Sequence, residues 1–207
     1  MTRIKCCGLT RIDDVQLAAR LGADAVGFVM THRSKRFVDP VAAAALRDAV
    51  PPFVTTVALV MDDTPEYVAE VVRVLRPDML QFHGAETDEA CAAFGVRYLK
   101  AIAMGEGEAA LTRLRAYPRA AGLLLDGHGL GELGGSGKRF DWSTMPRDIA
   151  QPLVLAGGLT ADNVGEAIRV ARPWGVDVSS GIESSPGIKD GDKMERFISA
   201  VRAVPSA

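Results

Sequence analysis

Short apolar runs alternate with amphipathic stretches along almost the whole chain. Residues 4–7 read as a strand and 13–21 as a helix closed by Gly22. A second apolar strand, 25–29, leads to an alanine-rich helix over 41–50. Pro51 and Pro52 stop that helix, because proline has no N–H to donate and its ring clashes with the preceding turn. The third unit pairs a strand at 55–61 with a helix at 65–75, with Pro65 in its first turn and Pro77 beyond its end. The fourth and fifth units are 79–82 with 87–94, and 98–102 with 107–117. Residues 122–125 form a further strand, followed by a Gly-rich stretch over 127–137 and a weak helix signal before Pro152. The series closes with strand 152–156, helix 162–171, strand 175–178 and helix 190–201.

About eight strand–helix units at roughly 25-residue spacing are the signature of a parallel sheet covered by helices. A doubly wound open sheet shares this alternation. Closure is favoured by the number of units and by polar residues where strands end: Cys7, His83, Asp126, Gly157-Gly158 and Ser179-Ser180-Gly181. A barrel gathers all strand ends into one ring, whereas an open sheet leaves many far from any one crevice. The expected fold class is therefore α/β, with a single (β/α)8 barrel domain spanning residues 1–207.

Composition narrows the setting. The chain has 207 residues, 48% of them hydrophobic and 24% charged, as in globular proteins. A net charge of −2 leaves no global basic surface for nucleic acid. No apolar run is long enough to span a bilayer, and the N-terminus lacks the apolar core of a signal peptide. Three cysteines, two of them adjacent, do not make a disulfide framework, so a reducing cytoplasmic location is expected. No Cys or His pair has zinc-finger spacing.

The last two strands carry the clearest chemistry. One ends at Gly157-Gly158 and the next at Ser179-Ser180-Gly181. Glycines let backbone N–H groups approach an anion closely, and the loops after strands seven and eight are this fold's usual phosphate site. Tight turns alone would also explain a Gly pair, but two such motifs at consecutive units favour a phosphorylated small molecule. The stretch Gly131–Arg139 only superficially resembles a P-loop: Glu132 stands at the first glycine position and Arg139 at the Ser/Thr position. It reads instead as a lid over the site, with a plain surface loop as the alternative.

Asp126 follows three leucines. A carboxyl group at the end of an apolar strand is poorly solvated, which suits a general acid; capping the next loop is the structural alternative. Strand alternation puts Ile4 and Cys6 on the helix-facing side and Lys5 and Cys7 on the barrel axis. Cys7, at the rim, is a candidate base or nucleophile, against the common case of an inert buried thiol. Arg33, Lys35 and Arg36 lie in a basic loop after the second strand; a solvated loop is the default reading, and an Arg there equally has the fork geometry to clamp a carboxylate. His83, in Gln81-Phe82-His83-Gly84, either contacts substrate or satisfies loop carbonyls.

Taken together these residues resemble the phosphoribosylanthranilate isomerase family of tryptophan biosynthesis. The markers, in order, are Lys5-Cys6-Cys7-Gly8, Gly22-Ala23-Asp24-Ala25-Val26-Gly27-Phe28, Ser34-Lys35-Arg36-Phe37, Gln81-Phe82-His83-Gly84, Leu124-Leu125-Asp126, Gly134 to Trp142, Ala156-Gly157-Gly158-Leu159 and Asp177 to Glu183. The chain departs from the family's pattern at Cys6, usually aliphatic, and at Gly127, often Thr. The resemblance implies an Amadori rearrangement of N-(5-phosphoribosyl)anthranilate. Asp126 would be the acid and Cys7 the base. Arg36 would hold the anthranilate carboxylate, and Gly157, Gly158, Ser180 and Gly181 the phosphate. It implies no metal and no organic cofactor; the oligomeric state stays open.

Three other readings compete. A metal-dependent sugar-phosphate epimerase needs several His and Asp ligands at strand ends, and the chain has only His32, His83 and His128. A dual-substrate isomerase also serving histidine biosynthesis would carry matching phosphate motifs in both halves and an Asp at position 7. A non-catalytic phosphosugar-binding barrel would not need both Cys7 and Asp126.

Overall fold

The computed structural model describes residues 1–106, 108–127 and 140–205. The segment read as a lid, 131–139, and His128 lie outside the described residues. Eight strands form a closed parallel barrel in chain order: β1 (Arg3–Cys7), β2 (Ala25–Val29), β3 (Thr55–Val60), β4 (Met79–Phe82), β5 (Tyr98–Ala103), β6 (Gly122–Asp126), β7 (Leu153–Leu155) and β8 (Gly175–Val178). Between them run α1 (Ile12–Leu21), α2 (Pro40–Asp48), α3 (Pro65–Leu75), α4 (Asp88–Ala92), α5 (Glu108–Leu114) and α6 (Val164–Ala171), with α7 (Gly191–Arg202) after the last strand.

Local chemistry sets the helix ends. The Asp39 carboxylate accepts from the Val41 and Ala42 amides ahead of α2, and Thr64 accepts from the Tyr67 amide ahead of α3. Each satisfies amides that a helix start leaves without an internal partner, and a proline occupies the first turn of both helices. Gly22 ends α1 in the left-handed conformation, at φ 98°.

One expectation needs correction. The weak helix signal before Pro152 is a single 3-10 turn, Trp142–Thr144, capped by the Asp141 side chain on the Ser143 amide. Ser143 and Thr144 turn their hydroxyls back onto Asp141, the local competition that disfavours a longer helix. The stretch between the last strand and the last helix, 179–189, to which the sequence pattern assigns no element, is also structured. A 3-10 turn, Ser180–Ile182, leads into an antiparallel hairpin, β9 (Glu183–Ser185) and β10 (Ile188–Lys189), before α7 begins. Its strands are too short, and its composition too polar, to show a two-residue period in the sequence.

The outward faces of the strands, including Ile4, Cys6, Phe28, Leu80, Leu123 and Val176, join one apolar cluster with the inner faces of the helices. The barrel interior has its own smaller cluster, Ala101, Leu124, Val154 and Ala156. One buried charge sits outside the barrel wall: Lys100 donates to Glu86 at 3.0 Å and lies 5.4 Å from the centre of the Tyr117 ring. It also donates to the carbonyls of Phe82 and Gly84, tying down the loop that carries His83.

Leu124 fills the barrel axis beneath the site and is fully buried. Leu124→Ala is expected to cost about 2–5 kcal/mol of unfolding free energy, through lost burial and an incompletely collapsing cavity. Val41→Ala on the exposed face of α2 should stay within about 0.5 kcal/mol. Urea titration of both variants checks this; equal midpoints would mean the axial layer adds nothing to stability.

Candidate active site

The C-terminal strand ends enclose a cavity lined by Cys7, Val29, Ser34, Arg36, Leu59, Met61, Gln81, His83, Asp126, Asp177 and Ser179. A second concavity adjoins it, sharing Asp126, Asp177 and Ser179 and adding Gly157, Gly158, Ser180 and Gly181. All eight candidate residues picked from the sequence therefore line one continuous region at the rim. Ser179, from the strand-end motif, joins them, as do Asp177 and Gln81, which were not singled out. Their signal was available: they are polar residues of inward parity in otherwise apolar strands.

Cys7 ends β1 facing this cavity, while Cys6 is packed among the helices with no exposed surface. Two glycines make room, one for the thiol and one for Arg36. Gly27 of β2 lies opposite Cys7, and a Cβ there would stand 2.9 Å from Cys7 Sγ and 3.1 Å from Lys5 Nζ. Gly8, at φ 73°, lets the Arg36 stem cross the end of β1; a Cβ would stand 2.6 Å from Arg36 Cδ. Lys5, two residues below Cys7, donates to Asp177 at 2.9 Å across the β1–β8 seam where the barrel closes.

These contacts set the thiol's electrostatics. Burial pushes the Cys7 thiol above its ordinary value, and the Lys5 ammonium works in the opposite direction. Burial pushes Cys6 up to about 12. For Lys5 burial acts against the charge, but Asp177 and Cys7 outweigh it and hold the ammonium protonated well beyond its usual range. The barrel axis thus keeps a permanent cation under a thiol that is mostly protonated at neutral pH.

Asp126 closes β6 and is buried, with a carboxylate oxygen 4.0 Å from His83 Nε2. The Gln81 amide nitrogen lies 3.2 Å from His83 Nδ1. With that amide as donor, Nδ1 accepts and a ring proton sits on Nε2, toward Asp126. Arg36 is not an isolated clamp. Its Nε and Nη2 donate in parallel to the two carboxylate oxygens of Glu183, both at 2.8 Å. That leaves its outer edge, Nη1 with the second Nη2 proton, for another acceptor. Arg33 instead reaches the exposed Asp62, 3.6 Å away.

Gly157 and Gly158 both take positive φ, 87° and 62°, which favours glycine. The helix after them starts at Val164, two residues later than the sequence pattern places it. Five residues separate Gly158 from Val164, and among them Asn163 accepts from the Thr160 amide and donates to the Gly158 carbonyl. Gly181 packs against that turn so closely that a Cβ would stand 1.9 Å from the Leu159 carbonyl oxygen. Gly181 is thus the contact through which the two glycine-containing turns meet. Among the described residues, no three His, Cys, Asp or Glu side chains are grouped to hold a metal ion.

Comparison with known proteins follows this geometry. The family model for N-(5'-phosphoribosyl)anthranilate (PRA) isomerase matches residues 4–200. The chain belongs to this family. It is 53% identical over 207 residues to the N-(5'-phosphoribosyl)anthranilate isomerase of Xanthomonas campestris pv. campestris, a match covering 97% of this chain and 93% of that protein. The crystal structure of phosphoribosyl anthranilate isomerase from Thermotoga maritima superposes with a TM-score of 0.90 at 40% identity, covering 98% of this chain and 99% of that one. A second crystal structure of a family member, in complex with reduced 1-(o-carboxyphenylamino)-1-deoxyribulose 5-phosphate, gives a TM-score of 0.87 at 36% identity, covering 98% and 99%.

Two expected outcomes follow from the packing of the site. Alkylation of Cys7 by iodoacetamide should accelerate as pH rises through and beyond about 8.5, the ordinary thiol value. Cys6 should stay unmodified until the protein unfolds. Peptide mapping by mass spectrometry separates the two thiols; a Cys7 rate that levels off below neutrality would contradict the buried, protonated thiol. Gly181→Ala must displace the Leu159 carbonyl, and should weaken binding of inorganic phosphate by roughly tenfold or more. Calorimetric titration showing parental phosphate affinity would remove that turn from the anion site.

Proposed function

We propose that the chain is a cytosolic enzyme that isomerises N-(5'-phosphoribosyl)anthranilate to 1-(o-carboxyphenylamino)-1-deoxyribulose 5-phosphate, on one (β/α)8-barrel domain, in tryptophan biosynthesis. The observation that carries the proposal is the family membership over nearly the whole chain, joined to a rim where Cys7 and Asp126 line one cavity. Three free, buried cysteines suit a reducing compartment. Among the described residues, no helix is long and apolar enough to cross a membrane.

In the proposed mechanism Asp126 gives its proton to the furanose ring oxygen. The C1–O bond breaks, and the anilino nitrogen's lone pair forms the C1=N bond of a Schiff base. The Cys7 thiolate then removes the C2 proton, and that electron pair becomes the C1=C2 bond of an enolamine while nitrogen recovers its lone pair. The C2 hydroxyl loses its proton and C1 gains one, leaving a ketone at C2. Atoms and electrons balance with no external oxidant or reductant. Arg36 receives the anthranilate carboxylate on its outer edge. Gly157, Gly158, Ser180 and Gly181 hold the phosphate, and His83 borders the acid. Binding both anionic ends fixes C1 and C2 between acid and base, which is the positional share of the rate enhancement.

A fluorescence assay for consumption of freshly generated N-(5'-phosphoribosyl)anthranilate tests the proposal. Asp126→Asn and Cys7→Ala should each lower kcat by about 10²–10⁴-fold while keeping the fold, and Cys6→Val should keep near-parental turnover. In the parent, kcat/KM should rise with pH as Cys7 ionises, until loss of the acid's proton limits it. Near-normal turnover by a folded Asp126→Asn enzyme would remove Asp126 as the acid. A dead Cys6→Val enzyme beside an active Cys7→Ala one would reverse the roles of the two thiols.

A further inference from the structure

The hairpin that the sequence did not foreshadow holds a buried group of three charges. The Glu183 carboxylate accepts both parallel bonds from Arg36, at 2.8 Å each. The same Glu183 accepts from Lys189 Nζ at 2.8 Å and from the Gly187 amide at 3.2 Å. Side-chain exposure is 13% for Arg36, 5% for Glu183 and 0% for Lys189. Lys189 Nζ also donates to the Ser179 carbonyl at 3.2 Å, in the turn that enters the phosphate region. Lys193 donates to the Glu183 carbonyl at 2.8 Å. Behind the hairpin, Asp14 accepts from the Lys189 amide, and Arg11, itself paired with Asp14, donates to the Lys189 carbonyl.

We infer that Glu183 is the positioning residue for the carboxylate end of the substrate: held by Lys189 and the hairpin, it fixes the inner edge of the Arg36 guanidinium so that the outer edge faces the aromatic carboxylate. This inference rests on the proposed isomerase function. An arginine at a loop tip has several rotatable bonds and binds a carboxylate weakly if it must be ordered on binding. Two parallel charge-assisted bonds remove that freedom beforehand, because the planar fork admits one orientation against a carboxylate. The charges also favour this role. Two cations around one anion leave a net single positive charge in a mostly buried cluster, and a substrate carboxylate neutralises it. A structural ion pair with no ligand would be expected to balance by itself, as Lys5 and Asp177 do. Through Lys189 and Ser179 the same cluster is joined to the phosphate turn, so the spacing between the two anion sites is set by one short hairpin.

The test compares two reduced product analogues, one carrying the ring carboxylate and one lacking it, in parent, Glu183→Gln, Arg36→Lys and the double variant. Steady-state kinetics with N-(5'-phosphoribosyl)anthranilate accompany the titrations. Glu183→Gln should raise KM and weaken the carboxylated analogue by roughly tenfold or more, with kcat, phosphate binding and the decarboxylated analogue little changed. In the Arg36→Lys background, which has no bidentate fork to align, the same substitution should cost almost nothing further. Glu183→Asp, which keeps the charge beside Lys189 but shortens its reach, carries the same comparison should Glu183→Gln fold poorly. Equal losses for both analogues, or the same loss with and without Arg36, would make Glu183 a structural residue only and overturn the inference. An inactive parent would instead sink the isomerase reading, and this inference with it.

Discussion

Closing a parallel sheet on itself allows each strand one parity of inward-pointing side chains, and everything at the rim depends on that constraint. Cys7, His83, Asp126 and Asp177 come from four separate strands or strand ends, yet line one cavity because each has inward parity. The same constraint forces polar groups of the lower layers into the axis, where they must find partners. Lys5 and Asp177 do so directly opposite one another in the β1–β8 pairing, at the seam that closes the ring. A buried pair of this kind adds little net stability, since desolvation offsets most of the attraction, but removing either partner would strand a charge. Its contribution is to fix the register of the seam and to place a cation beneath Cys7.

Space at the rim is made by omission. Gly27 leaves room for the Cys7 thiol and the Lys5 ammonium, Gly8 for the Arg36 stem, and Gly181 for the Leu159 carbonyl. In each case the neighbour that would collide is part of the site or holds it together. A barrel of this size has side chains from eight strands competing for the axis, so a pocket exists only where several strands give up theirs. This is a physical reason for glycines at strand ends distinct from turn geometry. It applies to Gly27, whose φ is ordinary and whose strand needs no turn.

Most of the architecture was readable because it rests on periodicity. The two-residue alternation of strands placed Cys7 inward and Cys6 outward, and proline and capping residues marked helix ends to within two or three residues. The rim residues Asp126, His83 and Gly157-Gly158 were readable because polar or glycine residues abruptly end apolar runs. Glu183 and Lys189 were not, because they lie on strands of three and two residues, where no period can be recognised. Nor was the engagement of Arg36, since a pairing across 147 positions leaves no trace in local pattern. The weak helix signal before Pro152 gives only a 3-10 turn among the described residues for a related reason: Asp141, Ser143 and Thr144 bond among themselves, which competes with a longer helix. Asp177 was within reach, as a charge of inward parity whose only sequence-level hint of a partner was Lys5, near the opposite end of the chain.

The charges also impose an order on the proposed chemistry. In the free site burial keeps Cys7 protonated against the pull of Lys5. A bound carboxylate neutralises the Arg36–Glu183–Lys189 cluster and withdraws some of the positive potential that favours a thiolate. Binding alone therefore does not create the base. The thiol gives its proton to solvent, and in the proposed mechanism ring opening favours that loss by placing a new positive charge on the Schiff-base nitrogen, one bond from C1 and two from the carbon to be deprotonated. That charge acidifies the C2–H bond and stabilises a neighbouring thiolate in the same step, inside a cavity where weak screening makes it count. Acid catalysis by Asp126 must then precede base catalysis by Cys7.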